Sequence, residues 1–291
     1  MVKNRISENE VIDIIRGAIS EDLDAAGDIT SGYLIPSDKK SFSHIICKEK
    51  SGTVLSGIDI AYYVLKEIDH DIKFERLKDD GERIKYMDKI CTISGLTLSI
   101  LKAERTCLNF LQHMSGIADL TSEFVEIAEP YGVKIKDTRK TKPLLRIIEK
   151  YAVRCGGGYN HRFGLFDGVL IKDNHIIAAG GILKAIEIVR AGAPSNIEIE
   201  VEVRNSVQLE DAIAGRADII MLDNMSTDEI AKSVKRVREK LGSSCLMEAS
   251  GNINLKNLEE ICKTGVDLIS AGAITHSSHA IDFSLEFLKS S

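Results

Sequence analysis

The chain has 291 residues, a hydrophobic fraction of 44% and a formal net charge of -6. This length allows one large α/β barrel or two domains, and the acidic balance argues against general nucleic-acid binding. No apolar run is long enough to span a bilayer. Because tryptophan is absent and aromatic residues make up only 5% of the chain, isoleucine, leucine and valine must fill the core.

The six cysteines are scattered and form no Cys-x-x-Cys pair. This pattern predicts free thiols in a reducing compartment and argues against structural zinc. The first fifteen or so residues are charged and amphipathic, and they lack the apolar core of a signal peptide. We therefore expect a cytoplasmic protein that binds neither membranes nor nucleic acids.

The first part of the chain mixes helical signals with those of antiparallel strands. Ser7 and Glu10 form a capping-box pattern that predicts a helix to about Ile19, and a loop is expected over 21–31. Apolar residues at helical spacing predict another helix over 58–68. This mixture predicts an N-terminal, sandwich-like α+β domain over residues 1–112. Its strands are expected over 42–48, 52–56, 72–76 and 89–94.

After a long predicted helix over 99–129, short apolar runs alternate with amphipathic helices. Such alternation indicates parallel strands joined by crossover helices. The six strands are two fewer than a complete barrel requires, so we predict an incomplete, open α/β barrel over 113–276 that carries the active site. A last helix over 277–291 is expected to pack on the N-terminal domain. The barrel strands are expected over 133–136, 169–172, 197–203, 219–222, 245–249 and 268–271, and its helices over 143–153, 181–192, 206–214, 226–241 and 254–264.

A dense group of cations lies between Asp137 and His175 of this acidic chain. A concentrated positive patch indicates a small ligand with several negative charges, such as phosphates or carboxylates. Gly156-Gly157-Gly158 lies within the segment, and we interpret it as a close backbone approach to that ligand. The cations are Arg139, Lys140, Arg146, Lys150, Arg154, His161, Arg162, Lys172 and His175.

Polar residues recur at the C-terminal ends of the predicted strands, where parallel α/β barrels build their active sites. Lys172, Glu202 and Asp223 together suit a charged sugar phosphate with its hydroxyls and a Mg²⁺ ion. Lys172 is either a Schiff-base nucleophile, as in barrel aldolases, or a permanent cation paired with one of the two acids. The turns Ser250-Gly251-Asn252 and Ser270-Ala271-Gly272-Ala273 are expected to bind phosphate through backbone N–H groups.

Long and specific motifs occur throughout the chain. They are Asp137-Thr138-Arg139-Lys140-Thr141, Glu149 to Gly158, Asn160-His161-Arg162 and Ile171 to His175, supported by Glu21-Asp22-Leu23, Gly27 to Thr30, Glu104-Arg105-Thr106, Glu200 to Val203, Met221 to Asn224 and Glu248 to Gly251. These motifs resemble those of the quinolinate phosphoribosyltransferases. The resemblance implies an α/β N-terminal domain with an incomplete barrel, and phosphoribosyl transfer from 5-phosphoribosyl-1-pyrophosphate to quinolinate. The products would be nicotinate mononucleotide, pyrophosphate and CO₂, made for NAD biosynthesis with Mg²⁺ required.

The resemblance also implies roles for individual residues. Lys140, Lys172, Glu202 and Asp223 would be catalytic, and the two acids would hold the ribose hydroxyls and Mg²⁺, directly or through water. The protein would form a homodimer or a hexamer of dimers, in which Arg105 enters the neighbouring subunit's site. The residues implied to bind substrate are Arg105, Thr138, Arg139, Thr141, His161, Arg162, Ser250, Gly251, Asn252, Ser270, Ala271 and Gly272.

Two positions depart from the family pattern. Lys142-Pro143-Leu144 stands where Thr-Pro-Gly is more frequent, and we expect altered loop packing with an intact reaction. Asn252 stands where some members have a second glycine, and the turn is expected to survive because asparagine tolerates positive φ. Three alternatives stay open: the related molybdate-operon protein of the same fold, a Schiff-base aldolase that uses Lys172, and an inactive barrel used for binding or regulation.

Overall fold

The computed structural model of the protein describes residues 5–288, which form two compact units. The first unit contains the described residues up to 122, together with 141–157 and the segment from 275 onward; the second contains 123–140 and 158–274. The boundary expected after residue 112 falls inside one continuous helix, Thr97–Ala128. The division into domains 1–112 and 113–276 stays a prediction.

The first unit combines helices with antiparallel strands, as the sequence predicts. Its sheets are a four-stranded one of order β12-β1-β5-β3 and a separate pair of β2 with β4. The helices are α1 (Glu8–Leu23), α2 (Ile29–Leu34), α3 (Ile58–Ile68), α4 (Thr97–Ala128, through residue 122) and α5 (Arg146–Cys155). The strands are β1 (Lys40–Cys47), β2 (Thr53–Val54), β3 (Lys73–Arg76), β4 (Arg83–Ile84), β5 (Lys89–Leu96) and β12 (Phe283–Phe287).

Local sequence signals account for the starts of two helices in this unit. The capping box of α1 is present, and the backbone N–H of Ser7 donates to the Glu10 carboxylate at 2.9 Å. Helix α2 occupies the end of the segment expected to be a loop. The Asp28 carboxylate accepts the N–H of Ser31 at 2.9 Å there, so Asp28 caps this short helix.

The expected C-terminal helix over 277–291 is wrong over the described residues. Phe283 to Phe287 form strand β12, which pairs antiparallel with β1, while residues 289–291 lie outside the described part. The physical reason is a two-residue period: Phe283 and Leu285 are buried, whereas Asp282 and Glu286 are exposed. That alternation suits a sheet edge rather than a helix face.

The second unit is built on one parallel sheet of order β6-β11-β10-β9-β8-β7. The first and last of its strands along the chain are neighbours, as in the cyclic order of a barrel, and no ladder joins β6 to β7 within residues 5–288. The strands are β6 (Lys134–Lys136), β7 (Val169–Ile171), β8 (Ile199–Val203), β9 (Ile219–Asp223), β10 (Leu246–Ser250) and β11 (Leu268–Ser270). The six expected strands and the open barrel are confirmed.

The connections in the second unit are helical, and buried strands lie beneath them. All five residues of β8 are buried, as expected for a parallel strand covered on both faces. Among residues 5–288, no helix combines the length and apolar character needed to cross a membrane. All six cysteines are buried and free. The helices are α6 (Asp173–Ala179), α7 (Ile182–Gly192), α8 (Ser206–Ala214), α9 (Thr227–Leu241), α10 (Leu258–Cys262) and α11 (Ala273–His276).

Candidate active site

The carboxyl ends of the parallel strands bring residues from distant parts of the sequence into one row. Ser270 is in register with Lys136 on one side and with Ser250 on the other. Ser250 is in turn in register with Asp223. Four neighbouring strands of the second unit therefore end in polar side chains at the same edge of the sheet, where α/β barrels place their active sites.

Asp137 fixes the segment that carries His161 and Arg162. Its carboxylate is fully buried and accepts the Asn160 side-chain amide at 2.6 Å and the backbone N–H of His161 at 2.8 Å. A buried carboxylate with two such donors holds the segment against the end of β6. Asp137 is absent from the predicted binding residues, although an acidic residue directly after an apolar strand was a usable signal.

His161 is buried among charged side chains within the second unit. Its Nε2 lies 3.0 Å from a Glu200 carboxylate oxygen and 3.6 Å from one of Glu248, and the Lys136 ammonium lies 3.3 Å from Glu248. Because Nδ1 accepts the N–H of Arg162 at 2.8 Å, the ring proton belongs on Nε2, facing the carboxylates. Burial raises the pKa of Glu248, and the charge of Glu200 raises it further.

This buried group also has the composition of a metal site. The ligand-type atoms of His161, Glu200 and Glu248 lie within 4.8 Å of one another. The ammonium of Lys136 already neutralises part of the charge of Glu248. We therefore interpret the group as an ion network that orients His161. Neither carboxylate is among the residues predicted from the sequence to contact His161.

Arg139 and Arg162 place two guanidinium groups close enough to repel each other. Burial lowers the pKa of Arg162, and the charge of Arg139 lowers it further. The Nη1 of Arg162 donates to the Gly168 carbonyl at 2.9 Å, whereas its Nε is buried without a hydrogen-bond partner among the described residues. A bound anion would satisfy that donor and relieve the repulsion.

Two carboxylates face the cations at the ends of β8 and β9. Lys172 contacts Glu202 at 2.8 Å, and the guanidinium of Arg204 lies 3.0 Å from both Glu202 and Asp223. The side chains of Glu202 and Asp223 are only 6% and 13% exposed. Burial of two negative charges requires nearby cations. Arg204 was missed by the sequence analysis, although it follows β8 directly.

Lys172 is paired with one of the two acids, as one of its two interpretations expects. Its Nζ lies 2.8 Å from a Glu202 carboxylate oxygen. A role as a Schiff-base nucleophile is tested by borohydride trapping. Glu202 and Asp223 offer the hard oxygen donors that Mg²⁺ prefers, so the donor set fits this ion.

The turn after β10 has the backbone that the sequence indicates. Gly251 and Asn252 have φ values of +98° and +52°, so the expected tolerance of asparagine for positive φ is confirmed. A side chain at Gly251 would place its Cβ 2.3 Å from the Asn224 side-chain oxygen, which itself accepts the Asn252 amide at 2.9 Å. In the turn after β11, the Ala271 N–H donates to the Lys136 carbonyl at 3.0 Å.

The other predicted residues are distributed over both units. Arg105 is exposed on α4 of the first unit, where Thr141 also accepts the Nε of Arg146 at 3.0 Å. In the second unit, the hydroxyl of Thr138 accepts the N–H of Lys140 at 3.0 Å, and the Lys140 side chain is exposed. This turn presents the basic pair of Arg139 and Lys140 to solvent.

The glycine run has a structural explanation at its first position. A Cβ at Gly156 would lie 2.3 Å from the Ala118 carbonyl oxygen and 2.7 Å from Thr121, both on α4. The absence of a side chain therefore lets the end of α5 approach α4 closely. The interpretation of this run as an approach to a ligand is wrong for Gly156.

The first unit has a separate cavity of about 790 Å³. It is lined by α1, α4 and residues 142–145, and it contains His113. The Nε2 of His113 lies 2.9 Å from buried Glu149, and its Nδ1 lies 3.1 Å from the Lys142 ammonium. None of the predicted site residues lines this cavity.

An open parallel barrel with cations and carboxylates at its strand ends defines the class of α/β-barrel proteins that bind anionic ligands. Residues 28–115 match the N-terminal domain model of quinolinate phosphoribosyl transferase, and residues 117–286 match the C-terminal domain model. The chain belongs to the quinolinate phosphoribosyltransferase family.

Curated relatives and a solved structure agree with this assignment. The nicotinate-nucleotide pyrophosphorylase [carboxylating] of Mycobacterium leprae is 39% identical over 276 residues, 94% of this chain and 96% of the relative. A mitochondrial quinolinate phosphoribosyltransferase [decarboxylating] of Nicotiana tabacum is 40% identical over 287 residues, 94% of this chain and 81% of the relative. The nicotinate-nucleotide pyrophosphorylase structure from Francisella tularensis superposes with a TM-score of 0.91 at 43% identity and covers 98% of both chains.

Proposed function

We propose that the protein transfers the phosphoribosyl group of 5-phosphoribosyl-1-pyrophosphate to quinolinate and decarboxylates the product to nicotinate mononucleotide. The observation that carries this proposal is the combination, within the second unit, of the Arg139–Arg162 pair with the Lys172–Glu202 contact. Quinolinate is a dianion and the sugar donor carries more negative charge still, so several cations must converge on them.

The arginines are the proposed partners of the quinolinate carboxylates. The fork of a guanidinium matches a carboxylate with two parallel hydrogen bonds, and Arg162 has a buried Nε without a protein partner. Lys140 and Lys172 add positive charge. His161 acts mainly by positioning, since both of its ring nitrogens face partners inside the second unit.

Glu202 and Asp223 act on the sugar in this proposal. Departure of pyrophosphate leaves positive charge at the ribose carbon, and nearby carboxylates stabilise it electrostatically. Glu202 and Asp223 would hold Mg²⁺ directly or through water, and the ion would supply positive charge against the departing pyrophosphate. Ser250, Gly251, Asn252, Ser270, Ala271 and Gly272 are the proposed 5-phosphate residues, with Thr138 and Thr141 as further substrate contacts.

The decarboxylation requires no organic cofactor. Once the ring nitrogen carries the ribosyl group, the positively charged ring stabilises the electron pair that stays on the ring carbon when the bond to CO₂ breaks, and a proton from solvent then binds to that carbon. The substrate thus provides its own electron sink, and the protein contributes orientation and charge. We further propose a homodimer, or a hexamer of dimers, in which Arg105 serves the neighbouring chain. The cytoplasmic location stays a prediction.

An assay for nicotinate mononucleotide made from quinolinate and 5-phosphoribosyl-1-pyrophosphate tests the proposal. Arg139→Ala should raise the KM for quinolinate by roughly 100-fold, because it removes a charged hydrogen-bonding partner. Glu202→Gln should lower kcat and leave the KM for quinolinate close to that of the wild type. No product from the wild-type protein, together with borohydride trapping of substrate on Lys172, would refute the proposal and support an aldolase.

A further inference from the structure

Arg204 contacts three carboxylates at once, each through a different nitrogen. Its Nη2 lies 3.0 Å from Glu202, its Nε 3.0 Å from Asp223 and its Nη1 3.3 Å from Asp173. These acids come from the ends of β8 and β9 and from the first turn of α6. The guanidinium is therefore the cation that links Glu202 to Asp223.

The backbone of Arg204 is held in place, whereas its side chain can leave. The Arg204 N–H donates to the Gln208 side chain at 2.8 Å, and Asn205 caps α8 by accepting the Gln208 N–H at 3.0 Å. The Arg204 side chain is nevertheless 50% exposed. Rotation about its side-chain bonds would move the guanidinium into solvent without disturbing β8 or α8.

The charge balance around Arg204 leaves room for a stronger cation. Asp173, Glu202 and Asp223 provide three negative charges, against the two positive charges of Lys172 and Arg204. Exchange of the guanidinium for a divalent cation would make the group formally neutral.

We propose that the guanidinium of Arg204 occupies the cation position between Glu202 and Asp223, so that it competes with a divalent cation for these two carboxylates. The inference rests on the proposed function, in which the same carboxylates hold Mg²⁺. Arg204 is then a positioning residue: it keeps the two buried acids neutralised and apart from each other before the metal and the sugar donor arrive.

Binding of Mn²⁺ to the full-length protein without substrates tests the competition directly, because free Mn²⁺ is measured by electron paramagnetic resonance. Arg204→Gln should lower the dissociation constant for Mn²⁺ by about tenfold relative to the wild type. The reason is that Mn²⁺ no longer has to displace the guanidinium from its ion pairs with Glu202 and Asp223. Arg204→Lys keeps the charge and loses the planar fork, so a smaller decrease of the same sign is expected.

Arg236→Gln is the matched control. Arg236 pairs with Glu210 at 2.6 Å on the surface of the second unit, so this substitution changes the net charge equally without touching Glu202 or Asp223. Thermal unfolding gives a second readout: Arg204→Gln should melt below the wild type without metal and gain more from added Mn²⁺. If Arg204 had only a structural role, Arg204→Gln would melt at a lower temperature without metal but would gain no more from Mn²⁺ than the wild type.

The inference is overturned if Arg204→Gln binds Mn²⁺ no more tightly than Arg236→Gln, including the case in which neither binds detectably. If Arg204→Gln does not fold, an unchanged dissociation constant in Arg204→Lys overturns it instead. The measurement contains no quinolinate or sugar donor. Failure of the proposed function therefore appears as absent product in the wild type, and failure of the competition appears as unchanged metal binding.

Discussion

Leu144 and Asn252 occupy the same region of backbone conformation with different consequences. Their φ values are +66° and +52°. Asparagine tolerates this region, whereas a leucine there brings its Cβ too close to the following carbonyl oxygen, at a cost of roughly 1–2 kcal/mol. Leu144 is 88% exposed, so little packing offsets the strain. The departure from a glycine at this position therefore makes the loop less stable.

Leu144→Gly should raise the free energy of unfolding by about 0.5–1 kcal/mol. Removing the Leu144 side chain releases the backbone strain of the folded state. Part of this gain is lost, because the greater conformational freedom of glycine stabilises the unfolded chain by roughly 0.5–1 kcal/mol. Urea denaturation measures it. Leu165→Gly is the control, because Leu165 is 70% exposed without a positive φ, and it should be destabilising. Equal destabilisation by both substitutions would show that Leu144 is not strained.

The sequence identified polar residues that lie where their own strand ends. Lys172 and Glu202 were found this way, and their pairing is confirmed at 2.8 Å. It did not identify contacts made by other elements: Arg204 joins acids from three of them, and the orientation of His161 depends on a buried Glu200. Predicting such contacts requires the order of the strands in the sheet, and no local sequence pattern specifies that order.

At the scale of elements, long periodic segments were predicted well, whereas the two-residue strand β4 and the strand in the tail were not. The apolar spacing over 58–68 predicts α3 with its observed bounds. Strand β4 has two residues and exists because it pairs with β2, so its own sequence carries no periodicity. The tail was taken for a helix because the strand it pairs with is remote: β12 forms against β1, more than 230 residues earlier in the chain.

Gly116 on α4 holds this tail by the absence of a side chain. A Cβ at Gly116 would lie 1.7 Å from the His279 carbonyl oxygen, and Ile281 donates its N–H to Gln112 at 3.1 Å nearby. Gly116→Ala should therefore lower the free energy of unfolding by about 2–3 kcal/mol, because the obstructing atom belongs to the backbone. Faster hydrogen exchange of the β12 amides should accompany the loss.

Gly17→Ala on α1 is the control for that substitution. No atom lies within 4 Å of a Cβ built at Gly17, so alanine should stabilise α1 by about 0.5–1 kcal/mol through its higher helix propensity. Similar effects of the two alanines on stability, or unchanged exchange in β12, would show that the tail does not depend on Gly116.

At the scale of the whole molecule, the residues named in the proposed function are distributed over both compact units. Lys172, Glu202 and Asp223 belong to the second unit, whereas Arg105 is exposed on α4 of the first. An exposed arginine on a long helix is accessible to another chain. The proposed dimer assigns Arg105 to the neighbour's site, which makes a dimer with two differently substituted chains informative.

Chains that carry Arg105→Ala or Glu202→Gln should each form nearly inactive homodimers. In a purified heterodimer with one chain of each kind, one site would combine an intact Glu202 with an intact Arg105 from the other chain, and the second site would carry both substitutions. Activity should therefore return to about half of the wild-type rate per dimer. If Arg105 instead serves its own chain, each site lacks one essential group and the heterodimer stays inactive.

Separate affinity tags on the two chains allow the heterodimer to be isolated. The assay for nicotinate mononucleotide then distinguishes the two outcomes.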